Sequence, residues 1–344
     1  MLHGKTPVTE TSFQDVAKIH ILPSTTKTKP TNLLILCHGL NGSHDDYNRW
    51  ITTLSANIST TTNPQSFLVV VPTTNEGWPL NHPTHQGILH SATLAYKAVQ
   101  TVITEHPEAT ELQNIIVVGH SFGGIYSRAL IKMMADDGTI PRLRPLGYIS
   151  IASPHLGVRR KPSAFTSVFQ FFAPLVGGIT GTELLLEDEA DVVLHISQGE
   201  YLEALKMFQS RTCYGNVYND LQVPLCTATL RDYNPYRMGT IEIKDPIKYP
   251  SIVSVLNEKN ESEQEDAGTL FSSNVMKEKI RTIHGNLLNL GWNRYDCLHN
   301  GIDVHNQIVG NGAAGWSNEG CDIRSHVVNI ILDMCKENEG EQKE

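Results

Sequence analysis

Residues 112–130 read LQNIIVVGHSFGGIYSRAL, and this stretch decides the fold. Asn114-Ile-Ile-Val-Val118 is a short apolar, β-branched run, the pattern of a parallel strand buried on both faces. Gly119-His120-Ser121-Phe122-Gly123 follows directly, and Gly124 to Leu130 continues in helix-compatible residues. A strand that turns sharply into a helix across G-x-S-x-G holds its serine hydroxyl at an exposed, strained tip. Glycine is required two residues to either side, because side chains there would collide with the turn. The helix behind Ser121 would aim free amides and its positive dipole end at a developing oxyanion. Alone, the pattern also fits an ordinary glycine-rich turn, so a catalytic reading needs an acid and a histidine downstream.

Upstream, Val16–Leu22 alternates like an antiparallel edge strand, and Leu33–Cys37 reads as a buried strand ending in His38-Gly39-Leu40. Asp45-Asp46 suits the first turn of a helix through Trp50 to Ile58. Phe67–Val71 is another strand, Gly87–Ile103 has helical periodicity, and Leu146–Ala152 is a strand beyond the serine helix. Strands alternating with helices predict an α/β fold with a mostly parallel, doubly wound sheet and helices on both faces. The whole of 1–344 is read as one such domain.

After Pro154 the rhythm breaks, and 158–210 is read as a cap- or lid-like insert. It concentrates Phe165, Phe169, Phe171, Phe172, Leu175 and Val176, and ends in a helix over Glu200–Ser210. These apolar groups would form either an acyl-chain wall that touches a membrane surface or a buried helix covering the sheet. Arg159, Arg160 and Lys161, just before them, would meet anionic headgroups or form a solvated loop. The sheet resumes at Cys213–Tyr218. Residues 232–272 are polar and acidic and are read as a partly disordered excursion. Val275–Leu290 then reads as a helix, Trp292–Leu298 as a strand and Asp322–Lys336 as a final helix.

Composition narrows the class. Hydrophobic residues are 40% and aromatics 7%, ordinary for a globular protein. A net charge of −9 argues against a general nucleic-acid surface. The N-terminal residues lack the apolar core of a secretory signal, and no apolar run of about twenty residues offers a transmembrane helix. The cysteines at 37, 213, 226, 297, 321 and 335 contain no CxxC pair. Cys37, Cys213 and Cys297 lie in or beside strand-like runs and read as small core residues, which favours a reducing, cytoplasmic setting over a disulfide framework.

The remaining parts of a catalytic set can be sought by position. His38-Gly39-Leu40 ends the strand before the first long helix, where the Leu40 amide would join that of Phe122 in an oxyanion hole, with His38 shaping the loop. An acid should follow a later strand. Asp220 lies directly after Cys213–Tyr218, whereas Asp188 and Asp191 fall in the insert and Asp232 lies well past the strand end. The histidine should come last, and three candidates remain. His299 sits at a strand end, and His326 lies among Val327, Val328, Ile330 and Ile331 in the final helix as a packing residue. His305 lies in a loop from which imidazole can reach both Ser121 and Asp220. His305 is favoured, with His299 second. The order Ser–Asp–His is that of α/β-hydrolases.

The segments HGLNGSHDDYNRW, VVGHSFGGIYSRALI, YISIASPHLGVRR, GITGTELLLED, NDLQVP and VHNQIVG together resemble the eukaryotic serine esterase family known as a domain of unknown function, which includes fungal lipase-like proteins. The resemblance covers about residues 30–226 and 291–330; the excursion at 232–272 departs from it. It implies an α/β-hydrolase fold and hydrolysis of carboxylic esters, such as acylglycerols or lysophospholipids, without metal or organic cofactor. It also places Ser121, Asp220 and His305 on the triad positions. An acyltransferase on the same triad and a non-catalytic lipid- or protein-binding scaffold are the alternatives. The expected partners are a lipid ester and peripherally a membrane or lipid droplet, not nucleic acid.

Overall fold

The computed structural model describes residues 10–23, 29–59, 65–78, 82–158, 178–237, 239–256, 274–301, 303–310 and 320–341. Its frame is a ten-stranded sheet in the order β1-β2-β4-β3-β5-β6-β7-β10-β9-β8. The strands are β1 (Glu10–Phe13), β2 (Ala17–Leu22), β3 (Asn32–Cys37), β4 (Phe67–Pro72) and β5 (Asn114–His120). They continue with β6 (Arg144–Ile151), β7 (Ser210–Asn216), β8 (Thr240–Asp245), β9 (Tyr249–Leu256) and β10 (Asn293–Cys297). Strands β4, β3, β5, β6, β7 and β10 run parallel, while β1–β2 and β8–β9 flank them in antiparallel pairing. This is the mostly parallel α/β sheet, with helices on both faces, that the alternation of elements implied.

The β-branched and leucine runs form strands here because both of their faces are covered. Leu33, Ile35, Cys37, Ile115 and Val117 face one core with helices α2 (Ile88–Glu105) and α3 (Gly123–Asp136), joined by α4 (Gly199–Lys206) and α5 (Asn274–Leu288). Leu34, Leu36, Ile116 and Val118 face the other, against α1 (Asn48–Ile58) and α6 (Cys321–Glu341). Each helix contributes residues at helical spacing, for example Trp50, Ile51, Leu54 and Ile58 of α1. Cys37, Cys213 and Cys297 are buried within β3, β7 and β10. Burial pushes the Cys37 and Cys213 thiols up to about 12, so they behave as apolar filling.

Four local expectations change. The strand at Ala17–Leu22 is not the edge, because β1 pairs along its outer side. His44–Tyr47 forms a 3-10 turn before α1 begins at Asn48, closed by the Ser43–Asp46 capping box. The helix expected over Glu200–Ser210 ends at Lys206, and Ser210 already starts β7. Most substantially, 240–256 is not an irregular excursion but the hairpin β8–β9, joined to β10 through Val253 opposite Asp296 and Ile252 opposite Cys297. Alternation in TIEIKD and the adjacent buried pair Ile252 and Val253 in SIVSVL carry that hairpin, although its overall composition is polar. The apolar residues at 165–176, the basic residues at 159–161 and the acidic stretch 257–266 lie outside the described residues.

Candidate active site

The turn after β5 puts Ser121 at φ +54°, a left-handed conformation that non-glycine residues adopt at a cost. Its neighbours leave no room for anything but glycine. A Cβ on Gly119 would strike the backbone of Gly123 and Gly124, and one on Gly123 would strike the Cys37 carbonyl. The crowding packs β5, α3 and the end of β3 into one block. Gly39 approaches from the β3 end, and a Cβ there would come within 3.1 Å of the Ser121 Cβ. The loop of Leu40 and the start of α3 therefore flank the same hydroxyl. Among the described residues, the backbone amides of Leu40 and Phe122 donate to no acceptor.

The structure brings Ser121, Asp220 and His305 together across 184 residues of sequence. His305 Nε2 lies 2.9 Å from Ser121 Oγ, and His305 Nδ1 lies 3.0 Å and 3.2 Å from the two Asp220 oxygens. An ionised carboxylate only accepts, so Nδ1 carries the imidazole hydrogen and Nε2 is left to accept from the serine hydroxyl. His305 stands in a single helical turn, Val304–Gln307, rather than in an open loop, because Asp303 closes hydrogen bonds to Asn306 and Gln307. Beyond that turn, Trp50 Nε1 donates to the Val309 carbonyl at 2.8 Å, and Arg49 to that of Gly310 at 2.9 Å. Helix α1 thus braces the histidine segment.

Asp220 follows β7, where Asn219 turns left-handed at φ +60°. It is buried, and burial alone would push its carboxyl up. The His305 imidazole, the Val223 amide at 2.8 Å and the Asn216 amide at 2.9 Å outweigh that effect and hold it below the ordinary carboxylate value. Gln222 N–H adds a further bond at 3.0 Å. The other acids are engaged elsewhere. Asp188 accepts from Val192 N–H, Asp191 pairs with Lys279, and Asp232 lies beside His284.

The competing histidines are also placed. His299 Nδ1 meets Asn216 Oδ1 at 3.1 Å, one step behind the acid, and burial lowers its pKa to about 4. His326 hydrogen-bonds Tyr214 at 2.8 Å among the rings of Tyr214, Tyr249 and Tyr295, as packing requires. His38 turns its Nδ1 onto the Gly39 carbonyl at 3.0 Å and is fully buried in the loop that carries Leu40.

Two contributors were not anticipated. Asn216 Nδ2 bridges Asp220 at 2.9 Å and the Val304 carbonyl at 3.1 Å, which couples the acid to the segment holding His305. Its signal was a buried amide in the strand run TCYGNV, where an apolar residue would pack more simply. His120, next to the serine, donates from Nε2 to the His305 carbonyl at 3.1 Å. Burial lowers its pKa to about 3, so it acts as a neutral donor. Nothing in the residue pattern distinguishes that role from the variable position of G-x-S-x-G.

Residues 27–230 match the family described as Putative serine esterase (DUF676). In Saccharomyces cerevisiae, Putative lipase ROG1 is 28% identical over 242 residues, covering 67% of this chain and 33% of that protein. Putative lipase YDL109C, also of Saccharomyces cerevisiae, is 28% identical over 173 residues, 46% of this chain and 26% of that protein. The chain thus spans about a third or less of the length of these relatives. Among solved structures, carboxyl esterase 2 from the mycorrhizal fungus Tuber melanosporum aligns with a TM-score of 0.46 at 13% identity, covering 95% of this chain and 87% of its own. A bacterial brefeldin A esterase aligns at 0.46 and 14% identity, covering 98% and 80%.

Proposed function

The chain belongs to the Putative serine esterase (DUF676) family, and from that premise we propose that it hydrolyses carboxylic esters through Ser121, His305 and Asp220. The observation that carries the reading is one imidazole bonded on both sides, 2.9 Å from the serine hydroxyl and 3.0 Å from the carboxylate. His305 Nε2 takes the Ser121 proton as Oγ attacks the ester carbonyl. The oxygen of the tetrahedral intermediate is met by the amides of Leu40 and Phe122, aided by the first turn of α3. His305 then gives its proton to the departing alkoxide, leaving an acyl-serine. Water, deprotonated by the same nitrogen, attacks that acyl group. The acid leaves and the proton returns to Ser121. Asp220 holds the Nδ1–H tautomer and stabilises the imidazolium.

The substrate proposed is a lipid ester, an acylglycerol or lysophospholipid. The apolar sequence of 165–176 supports this, as do the exposed apolar residues Leu221, next to Asp220, and Ile179. Contact with a membrane or droplet surface would be peripheral. Among the described residues, no helix is long and apolar enough to cross a membrane. The proposed setting is cytoplasmic, which suits the free thiols.

The test is hydrolysis of p-nitrophenyl esters of increasing chain length, with monoacylglycerol and lysophospholipid, by wild type and Ser121→Ala, together with fluorophosphonate labelling. Turnover and labelling are expected in wild type only, with rates rising with acyl length. Turnover confined to short chains would discard the lipid substrate and keep the esterase. An unlabelled wild type without turnover would discard both.

A further inference from the structure

The Leu40 amide belongs to a loop whose shape is imposed largely from elsewhere in the chain. One bond is local, from Gly42 N–H to the Gly39 carbonyl at 3.1 Å. The next residue after Leu40, Asn41, sits in the left-handed region at φ +56°, which needs support in a residue with a side chain. Both of its polar ends are held by the turn at 82–85. Its N–H donates to Thr84 Oγ1 at 3.2 Å, and its Oδ1 accepts from His85 Nε2 at 2.6 Å.

That turn is itself pinned by a third segment. Thr180 Oγ1 donates to the Thr84 carbonyl at 2.6 Å and accepts from Gly87 N–H at 2.9 Å. One turn on, Glu183 accepts from Ile88 N–H at 2.7 Å, at the start of α2. Thr84, Thr180 and Glu183 are buried, so water cannot replace a lost partner freely. The Thr84 hydroxyl donates to His82 Nδ1 at 2.7 Å, which fixes its lone pairs toward Asn41. The hydrogen bonds thus run without a break from Thr180 through Thr84 to the residue that follows the oxyanion donor.

We propose that Thr84 and Thr180 are positioning residues for the oxyanion loop: Thr180 pins the 82–87 turn, and Thr84 holds Asn41, setting the direction of the adjacent Leu40 amide. The proposal rests on the ester-hydrolase reading for its catalytic consequence, but not for its structural one. An oxyanion donor acts on charge that develops only in the transition state, so misdirecting it lowers kcat and leaves KM largely alone. Displacement of about 1 Å at such a site costs on the order of 100-fold in rate.

Two measurements on the full chain test this. The first is amide hydrogen exchange. In wild type the Asn41 amide is expected to be protected relative to that of Leu40. Thr84→Val and Thr180→Val should speed exchange across 39–42, and Thr180→Ser should restore wild-type protection. An Asn41 amide exchanging at its unstructured rate in wild type would overturn the proposal without any variant. The second is kinetics per fluorophosphonate-titrated site, which discounts misfolded protein. Thr84→Val is expected to lower kcat about 10- to 100-fold with KM within about twofold, Thr180→Val about 10-fold, and Thr180→Ser to recover. Wild-type kcat per site in both valine variants would overturn the catalytic consequence. Faster loop exchange in a protein that turns over no ester would instead keep the positioning and remove the hydrolase reading.

Discussion

Replacing Asn216 with leucine, a residue of similar volume, separates hydrogen bonding from packing at the centre of the site. Asn216 is buried, and its amide makes three contacts: to Asp220 at 2.9 Å, to the Val304 carbonyl at 3.1 Å and from His299 at 3.1 Å. The bond to a carboxylate is worth about 1.5–3 kcal/mol, and a buried donor or acceptor left bare costs about 1–3 kcal/mol. Partial relaxation leaves an expected destabilisation of roughly 3–5 kcal/mol, enough to lower the melting temperature by about 4–7 °C. The kinetic share is the Asp220 bond alone. A loss of about 1.5–3 kcal/mol of acid positioning converts to a fall of roughly 10- to 150-fold in kcat/KM. The assay is thermal unfolding together with kcat/KM per fluorophosphonate-titrated site at pH 7–8. If Asn216→Leu melted with wild type and kept its kcat/KM, the amide would be neither a structural bridge nor a support for the acid, and the reasoning would fail.

The strain at Ser121 predicts a difference between two inactive variants: Ser121→Gly should be more stable than Ser121→Ala by about 1 kcal/mol, because only glycine relieves φ +54°. Equal denaturation midpoints would count against strain at the turn. Glu183 makes stability pH-dependent. Burial, with Asp188 nearby, raises its pKa from 4.5 to about 7 despite the Ile88 bond, so its stabilising effect is greatest below pH 4.5 and is lost as pH rises through about 7. Glu183→Gln should remove that slope and exceed wild type by roughly 2–3 kcal/mol above pH 8; parallel wild-type and variant curves from pH 4 to 8 would rule it out.

Much of the sheet was legible because burial on both faces leaves a strong local trace. Leu33–Cys37, Phe67–Val71 and Asn114–Val118 are continuous apolar runs, and each is a strand in the parallel core. The serine turn was legible for the same reason, since backbone crowding there demands glycine locally. The hairpin β8–β9 was not, because β8 is largely exposed and charged and β9 buries only Ile252 and Val253, too short an apolar run to stand out in a polar stretch. For the acid and the histidine, chain order and strand ends narrowed the field to positions that the fold brings within hydrogen-bond reach. Asn216, His120, Thr84 and Thr180 escaped that reasoning. Apart from the Asn216–Asp220 bond, their roles rest on contacts between residues 43 to 185 positions apart, and no spacing rule encodes such a contact.

The hairpin has a consequence for how copies of this protein meet in concentrated solution. Without it, β10, the strand that leads into the His305 segment, would present a row of bare peptide groups able to recruit a strand from another molecule. With β9 seated on β10, that role passes to β8, the outermost strand on this side. Glu242 and Lys244 punctuate β8, and its register slips between Ile243 and Asp245. Interspersed charge and a local irregularity both oppose flat pairing with a stranger. The strand that leads into the His305 segment is thereby kept from pairing with another molecule, and the strand left at the margin is one built to refuse it.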